Sequence, residues 1–452
     1  MKRMRREVET VFLLLALLPP AGIAQTLTLR QAIDRALGQN PRGAEARADV
    51  TAATAGVSEA RTELLPRFSF DEDLSRGNDP VYVFGTKLRQ QRFTEEDFAL
   101  DSLNRPTPVG DFATQFSGQW RLFDGWATAE RLHAAHRAAL SANDMAGAVD
   151  QAIVLRVVEV YQQILYAQRE LALAQRQVDT AQELLHDAQT RVKAGLAVDS
   201  DELSAEVNLA ERQQEQIAAV GALDTAWAQL EAAMGATDMS APPPQLQALE
   251  AKSFPDGVLA GDLAEAIKAR PDLNALRRQA AAQQENVKAA RADFLPQIGA
   301  YGSWETDRPT FAGDGGDNWV AGVRLSVDIL PLAQRARLRQ ERAEQQKAEA
   351  EEQDQELQIR LAVEQAFTGH QTAERMVATA QAAMQQSAEG LRILRNRYNA
   401  GLATMTDLLR AEDAERQSQN DYWRAAYGNS VAYARLLYAT GQLTPDSAEN
   451  LQ

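Results

Sequence analysis

One helix-breaking motif occurs twice in this sequence, and the duplication constrains the fold more than any other feature. The copies, RVKAGLAVDSDEL from Arg191 and RYNAGLATMTDLL from Arg397, start 206 residues apart. Each interrupts a long helical pattern at an Ala-Gly pair, and glycine ends helices readily because it adopts positive φ without a Cβ penalty. The two stretches, 194–200 and 400–406, are therefore predicted to be the tips of two long helical hairpins related by duplication.

The helix that follows each tip is predicted to begin after a hydroxyl residue. Ser200 and Thr406 each carry an oxygen that can accept a hydrogen bond from an N–H group left unpaired at a helix start. An acid comes next, Asp201 or Asp407, and negative charge is favourable at the positively polarised first turn. Both copies thus carry the signals of a turn followed by a new helix.

Before the first tip, apolar residues repeat every seven positions and predict one continuous helix over 127–193. Large side chains at one seam and mainly alanine at a second, three residues later, are typical of helices that approach closely in a coiled coil. The returning helices, 200–234 and 406–440, are much shorter, so 27–65 and 263–295 are expected to stack end to end with them. The first-copy seams are Val157, Ile164, Leu171, Val178, Leu185 and Val192, and Val160, Ala167, Ala174, Ala181 and Ala188.

Pro66 and Pro296 each end a helical pattern, and after each the apolar period changes to two. This alternation predicts four strands of about ten residues, the length that a tilted strand needs to cross a bilayer. A long loop, 71–111, joins the first pair, and a short loop, 306–318, joins the second. Aromatic residues near the strand ends favour a membrane sheet, with an ordinary antiparallel sheet that has one wet face as the alternative.

The first 24 residues have the pattern of a secretory signal. Basic residues stand at the start, and an apolar run at 11–18 follows that is too short to span a bilayer as a helix. Cleavage is predicted after Ala24, and a short buried helix is the alternative interpretation. No other stretch has the length and apolar character of a transmembrane helix.

Composition argues against several functions. The chain has no Cys, which excludes a thiol nucleophile, and its net charge of −16 is unsuited to an extended nucleic-acid surface. His133 and His136 share a helix face but lack a third ligand, so a solvated face is preferred over a metal site. No catalytic, metal or cofactor site is predicted. An enzyme confined to the 71–111 loop is the remaining alternative of that class.

Four strands cannot close a membrane barrel, because about eight are the minimum and open sheet edges are not tolerated in lipid. Three copies of the chain would supply twelve strands and twelve helical columns. The predicted fold class is therefore mainly α, with long coiled-coil hairpins and a small contribution to a transmembrane β-barrel. The predicted parts are a signal peptide 1–24, a first repeat 25–235, a linker 236–261, a second repeat 262–441 and a tail 442–452.

The sequence resembles the TolC family of outer-membrane efflux factors over essentially the whole mature chain. The resemblance rests on LTLRQAIDRALGQNP at 27–41, the Leu-Pro pairs before the strands, RLFDG at 121–125 and the paired AGL tips. It implies a homotrimeric, passive exit duct in the outer membrane of a Gram-negative bacterium, with a periplasmic helical domain. It also implies two partners, a periplasmic adaptor and an energised inner-membrane pump of the RND or ABC type.

Two tip acids are the candidate gate residues. In a trimer, three copies of Asp201 and Asp407 would converge on the periplasmic mouth, where carboxylate rings attract cations and set selectivity. The resemblance implies that these positions close the mouth together with Tyr398. Ala403 and Arg410 depart from one family pattern, in which an Arg and a second Asp occur. The alternative is that both acids only stabilise helix starts.

The residues of the turn itself are the candidate docking surface for the adaptor: Gly195, Leu196, Gly401 and Leu402. The alternative is that they only build the turn, and both roles are compatible. The leading functional hypothesis is a passive export channel. Its rival is a coiled-coil scaffold or adhesin of the cell envelope without channel activity, which leaves four amphipathic strands unexplained.

Overall fold

The computed structural model describes residues 27–236, 246, 254–255, 259–449 and 451. The predicted signal peptide and most of the predicted linker lie outside these residues. The chain divides into two compact units. The first contains residues up to 47 together with 144–274 and 355–452, and the second contains 48–143 and 275–354. No helix in the described ranges is both long enough and apolar enough to cross a membrane.

The elements of the first half are α1 (Leu29–Gln39), α2 (Pro41–Thr62), β1 (Arg67–Gly77), α3 (Pro80–Arg89), α4 (Leu100–Asn104), β2 (Val109–Phe123), α5 (Ala127–Lys193) and α6 (Asp199–Met234). The second half contains α7 (Leu259–Ala269), α8 (Pro271–Ala292), β3 (Gln297–Arg308), β4 (Gly316–Ser326), α9 (Leu332–Asn399), α10 (Met405–Ala439) and α11 (Pro445–Glu449). The duplication is therefore visible in the order helix pair, strand pair, long helix, shorter helix.

The second unit contains one antiparallel sheet in the order β1-β2-β3-β4. One face carries an aromatic row, in which Phe70 pairs with Phe116, Phe116 with Trp304, and Trp304 with Trp319. The next row lies on the opposite face and is polar: Ser69 pairs with Ser117, and their hydroxyl oxygens are 2.7 Å apart. The mainly helical fold with four antiparallel strands is thus confirmed, and the sheet has one apolar and one polar face.

The strand bounds differ from the predicted ones. The long connection covers 78–108 rather than 71–111, and the short one covers 309–315 rather than 306–318. The acidic stretch 71–73 has the composition of a loop, yet it lies within β1. Its alternate residues Asp71 and Asp73 occupy the polar face, where charge is tolerated. β4 ends at Ser326.

The long connection folds on itself. Asp79 caps α3 by accepting a hydrogen bond from the Tyr82 backbone N–H at 2.9 Å. Phe93 lies edge-on to both Phe84 and Phe98, with ring centroids 4.8 and 5.1 Å away. Beyond α3, Gln90 Nε2 donates to the Asp111 carboxylate at 2.8 Å, which ties the connection to the polar face of the sheet.

The first unit is built around α5, which has the predicted bounds of 127–193. The seam positions from Val157 to Ile164 and the alanine seam from Ala167 to Ala188 are buried. Tyr161 fills the space between them, and its hydroxyl donates to the Leu27 carbonyl oxygen at 2.9 Å. In the second copy His370 replaces Ile164 at the seam, and its ring is buried 5.2 Å from the ring of Tyr433.

The predicted end-to-end stacking is present at both positions. Gly235 ends α6 with φ +76°, and a Cβ there would lie 2.6 Å from the Gln39 carbonyl oxygen. Asn40 Nδ2 donates to the Ala233 carbonyl oxygen at 2.8 Å across this joint. In the second copy Gly441 (φ +75°) meets the backbone of 269–270. Each of the stretches 27–65 and 263–295 contains two helices, because a proline at the first position of α2 and of α8 starts a new helix.

Two segments near the chain's linker and tail pack on this unit. Leu246 forms a parallel bridge with Leu27, and Phe254 stacks on Tyr433 at 4.5 Å. In the tail, Asp446 of α11 forms an ion pair with Arg30, and the Leu451 carbonyl oxygen accepts a hydrogen bond from Gln162 at 2.9 Å. The tail is therefore fixed to α1 and α5.

Replacing Gly235 with alanine is expected to lower the free energy of unfolding by about 2–4 kcal/mol, because positive φ and the close Gln39 carbonyl oxygen both oppose a Cβ. Gly221 is the matched control in the same helix, since nothing lies within 4 Å of its Cβ position. Gly221→Ala is expected to stabilise by up to about 1 kcal/mol. Denaturant unfolding followed by far-ultraviolet circular dichroism measures both, and equal effects would contradict the role of the joint.

Candidate functional site: the hairpin tips

The two tips have the same backbone geometry. Gly195 has φ +70° and Gly401 has φ +72°. In the first tip the Leu196 N–H donates to the Arg191 carbonyl oxygen at 2.8 Å, and Leu402 repeats this bond in the second tip at the same distance. Such a bond, from the residue after the glycine back across the last helical turn, satisfies carbonyl groups that a helix end leaves unpaired. The duplicated Ala-Gly pairs are therefore helix-terminating turns, as predicted.

The helix starts after the tips differ, and the predicted caps Ser200 and Thr406 are wrong. The second returning helix is capped by Thr404, whose Oγ1 accepts from the Asp407 N–H at 3.2 Å. Asp407 reciprocates, because its Oδ2 accepts from the Thr404 N–H at 3.1 Å. The first returning helix is preceded by Val198, which has no side-chain oxygen. The spacing of Thr404 and Asp407 is that of a capping box, and this signal was present in the sequence.

The two gate candidates consequently have different surroundings. Hydrogen bonds from the Thr404 side chain and backbone lower the pKa of Asp407. This cap is fully present above the ordinary Asp pKa, about 3.9, and is lost as pH falls through the lowered value. Within the described residues, the Asp201 carboxylate accepts no hydrogen bond and forms no ion pair. In a single chain Asp407 stabilises a helix start, whereas Asp201 keeps an unengaged charge.

Tyr398 packs where the ends of the two hairpins meet. It is only 7% exposed, and its burial raises the pKa of its hydroxyl. The Arg191 guanidinium lies over its ring at 4.7 Å, and the charges of Arg191 and Asp201 also reach the hydroxyl. The structure thus places Arg191 against Tyr398, whereas Asp407 is engaged by Thr404. The cluster around the ring contains Leu184, Ala188, Ala205, Met405 and Leu408.

An ion cluster that was not predicted from the sequence joins α6 to α10. Arg212 is almost buried, and its guanidinium lies 3.0 Å from the Asp413 carboxylate and 2.8 Å from that of Glu215. Arg416 approaches Glu215 from the other hairpin at 3.5 Å. The signal was available, because Arg212 follows the buried Ala205 by one heptad and so occupies an alanine seam. The cluster is a second connection between the two hairpins, in addition to the packing around Tyr398.

The candidate docking residues are uncovered in the single chain. Leu196 is 80% exposed and Leu402 is 69% exposed, although both side chains are apolar. Nothing lies within 4 Å of a Cβ placed on Gly195 or Gly401. The tips therefore present two small apolar projections with open space beside each glycine.

Metal-ligating side chains do not cluster in the described part of the chain. Among the described residues, no three His, Asp or Glu side chains are placed to hold a metal ion. His133 lies 3.6 Å from Glu130 on a mostly exposed helix face. An amphipathic sheet joined in one chain to paired long helical hairpins instead defines a class, the channel-forming proteins of the bacterial outer membrane.

Comparison with known proteins identifies the family within this class. Residues 32–236 and 263–442 match the family described as Outer membrane efflux protein, and the chain belongs to that family. Protein CyaE of Bordetella pertussis is 28% identical over 442 residues, which cover 94% of this chain and 86% of that protein. The alkaline protease secretion protein AprF of Pseudomonas aeruginosa is 23% identical over 393 residues, which cover 85% of this chain and 78% of that protein.

Solved structures agree in fold. The crystal structure of the Campylobacter jejuni CmeC outer membrane channel superposes with a TM-score of 0.79 at 16% identity, covering 93% of this chain and 88% of that one. The family and the fold together make this protein an outer-membrane efflux channel with a large helical periplasmic part. The resemblance to the TolC family is confirmed, and the scaffold alternative is not supported.

Introducing a capping box at the first tip, and removing the one at the second, tests the role of Thr404 as a helix cap. Val198→Thr is expected to raise the free energy of unfolding by about 1 kcal/mol, because the new hydroxyl can cap α6 and Asp201 can complete the box. Thr404→Val should lower it by a similar amount and return the pKa of Asp407 towards its ordinary value. Chemical denaturation and NMR titration of the side-chain carboxyl carbons measure these two effects. Opposite signs, or no change in either variant, would refute the assignment.

Proposed function

We propose that three copies of this chain close a twelve-stranded barrel, continued by a tube of twelve helical columns, to form a passive exit duct. The observation that carries the proposal is the amphipathic four-stranded sheet, whose outer strands β1 and β4 each pair with a single neighbour among the described strands. An unpaired strand edge in lipid costs several kcal/mol for each polar group. Association of copies through β1 and β4 satisfies those groups and places the polar face inside.

The duct is passive, and a partner in the inner membrane supplies the energy. We assign adaptor docking to Gly195, Leu196, Gly401 and Leu402, because the two exposed leucines offer apolar contacts beside glycines that admit a close backbone approach. Names of relatives support this assembly: AprF is a protease secretion protein, and OpmQ of Pseudomonas putida is a pyoverdine export outer membrane protein. Cargo so different in one family indicates that the pump, of the RND or ABC type, selects the substrate.

The gate is assigned to Asp201, Asp407 and Tyr398. Asp201 supplies the main charge of the mouth, because no partner within its own chain neutralises it. Three symmetry-related copies would repel one another and bind cations. Asp407 contributes less to the charge of the mouth, because its carboxylate accepts hydrogen bonds from Thr404. Tyr398 holds the two hairpins of a chain together, so that the tips move as a unit.

Single-channel recording tests the gate. Asp201→Asn is expected to reduce the permeability ratio of K⁺ over Cl⁻ and to weaken block by hexaamminecobalt(III) about tenfold, since a ring of charge is removed. Asp407→Asn should have a smaller effect, and Asp201→Lys with Asp407→Lys should reverse the selectivity. Asp446→Asn, in the exposed tail, removes one acid far from the tips in sequence and serves as the control. Unchanged selectivity in the double variant would refute the gate.

The mass of the detergent-extracted protein tests the duct itself. A trimer that forms ion-conducting pores in planar bilayers is the expected result. A monomer, or an oligomer that conducts no ions, would contradict the closed barrel and favour the scaffold alternative.

A further inference from the structure

A cavity of about 1150 Å³ in the second unit has a strongly basic wall. It is bounded by the first residues of β1 and β3, the last residues of β2 and β4, and the adjoining ends of helices. Five arginines line it, while the lining contains one carboxylate, that of Glu63. The five are Arg67, Arg121, Arg131, Arg324 and Arg337, here called the arginine girdle. Such a concentration of cations is unexpected in a chain of net charge −16.

Three members of the girdle are neutralised by nearby acids. Arg121 lies 3.7 Å from Asp124, and both Arg131 and Arg337 approach Asp293, at 3.2 and 3.6 Å. Longer contacts are also present. Arg121 and Arg131 lie 3.9 and 4.0 Å from Glu63, and Arg337 lies 4.0 Å from Glu341. These three guanidinium groups therefore act mainly to join helix ends to one another and to the end of β2.

Arg67 and Arg324 have no such partner. In the part of the chain that the structure describes, neither is within 4.0 Å of a carboxylate, and both are exposed to the cavity. Arg324 instead lies over the ring of Tyr301, with its guanidinium carbon 5.3 Å from the ring centre. Two full positive charges thus remain available on one wall.

The strand register places both charges on the polar face of the sheet. Arg67 is in the row of Gln119 and Tyr301, and Arg324 lies two residues along β4 from Gly322, which ends the same row. Only the apolar face can meet lipid. Arg67 and Arg324 therefore face the interior of the duct, and this step rests on the proposed closure of the barrel.

Closure also determines which arginines become neighbours. Arg67 is on β1 and Arg324 is on β4, the two outer strands of the sheet. When copies associate edge to edge, Arg324 of one copy approaches Arg67 of the next on the interior face. Like charges at adjacent strands destabilise a sheet unless an anion lies between them. Guanidinium groups suit carboxylate and phosphate particularly well, because their N–H groups form paired hydrogen bonds to two oxygens.

We propose that Arg67 and Arg324 form an interior binding site for carboxylate or phosphate groups of molecules in transit, repeated at each junction between copies. The site extends the proposed function by naming a chemical class, anionic cargo or anionic segments of cargo. Arg67 and Arg324 bind the anion, Tyr301 positions Arg324, and the other three arginines hold the wall in place.

Block by inorganic tripolyphosphate tests the proposal in planar bilayers of phosphatidylcholine. Tripolyphosphate should reduce the current reversibly, and less so as salt screens the charges. Arg67→Ser with Arg324→Ser should raise the concentration for half-block about tenfold or more, since two charge-assisted contacts are lost. The matching Lys substitutions should retain most of the block. Arg335→Ser with Arg339→Ser is the control, because both are exposed near the start of α9 and neither lines the cavity.

Calorimetry with tripolyphosphate and the detergent-solubilised protein provides a second measurement that needs no current. Binding that is lost in the Ser variant and kept in the Lys variant supports the site. Binding or block that is unchanged in the Ser variant overturns it, as does an arginine-dependent effect seen only with anionic lipid, which would assign the arginines to headgroups. A wild-type protein that binds tripolyphosphate but conducts no ions would instead overturn the duct alone.

Discussion

The unpaired backbone edges of a four-stranded sheet are the constraint on which the rest of this structure depends. A bilayer offers no water to satisfy the outer N–H and C=O groups of β1 and β4, so the sheet is complete only when further copies supply their own edges. The alternation of Phe70 and Ser69 on opposite faces then decides which side meets lipid and which side meets water. The proposed association of copies and the proposed interior position of Arg67 both rest on this one requirement.

The two hairpins share the backbone geometry of the turn but differ in the residues around it. Gly195 and Gly401 have almost the same φ, so each copy reverses direction in the same way. The caps, by contrast, use Val198 in one copy and Thr404 in the other. Tyr398 packs between the two hairpins. The equivalent position in the first copy is Val192, so only one copy supplies an aromatic ring there.

Much of the fold could be predicted because long patterns average over local exceptions. The helix over 127–193 was predicted to the residue, since a heptad repeat and a glycine turn mark both its period and its end. Features set by one or two residues were missed. The acids at 71–73 suggested a loop, because the polar face of a sheet is not visible in composition. The cap at Thr404 was placed two residues late. The seam position of Arg212 was visible in the sequence, but its contact with Asp413, like that of Arg324 with Tyr301, joins different elements and has no local signal.

The joint at Gly235 has a mechanical consequence. The end of α6 meets the backbone at Gln39 and Asn40 so closely that no methyl group fits between them, and the Asn40 side chain bridges the contact. Compression along the helix axis is therefore blocked, and extension breaks that bridge. The joint therefore opposes axial displacement of the end of α6 against α1 in both directions, so that these two stacked helices keep a fixed spacing.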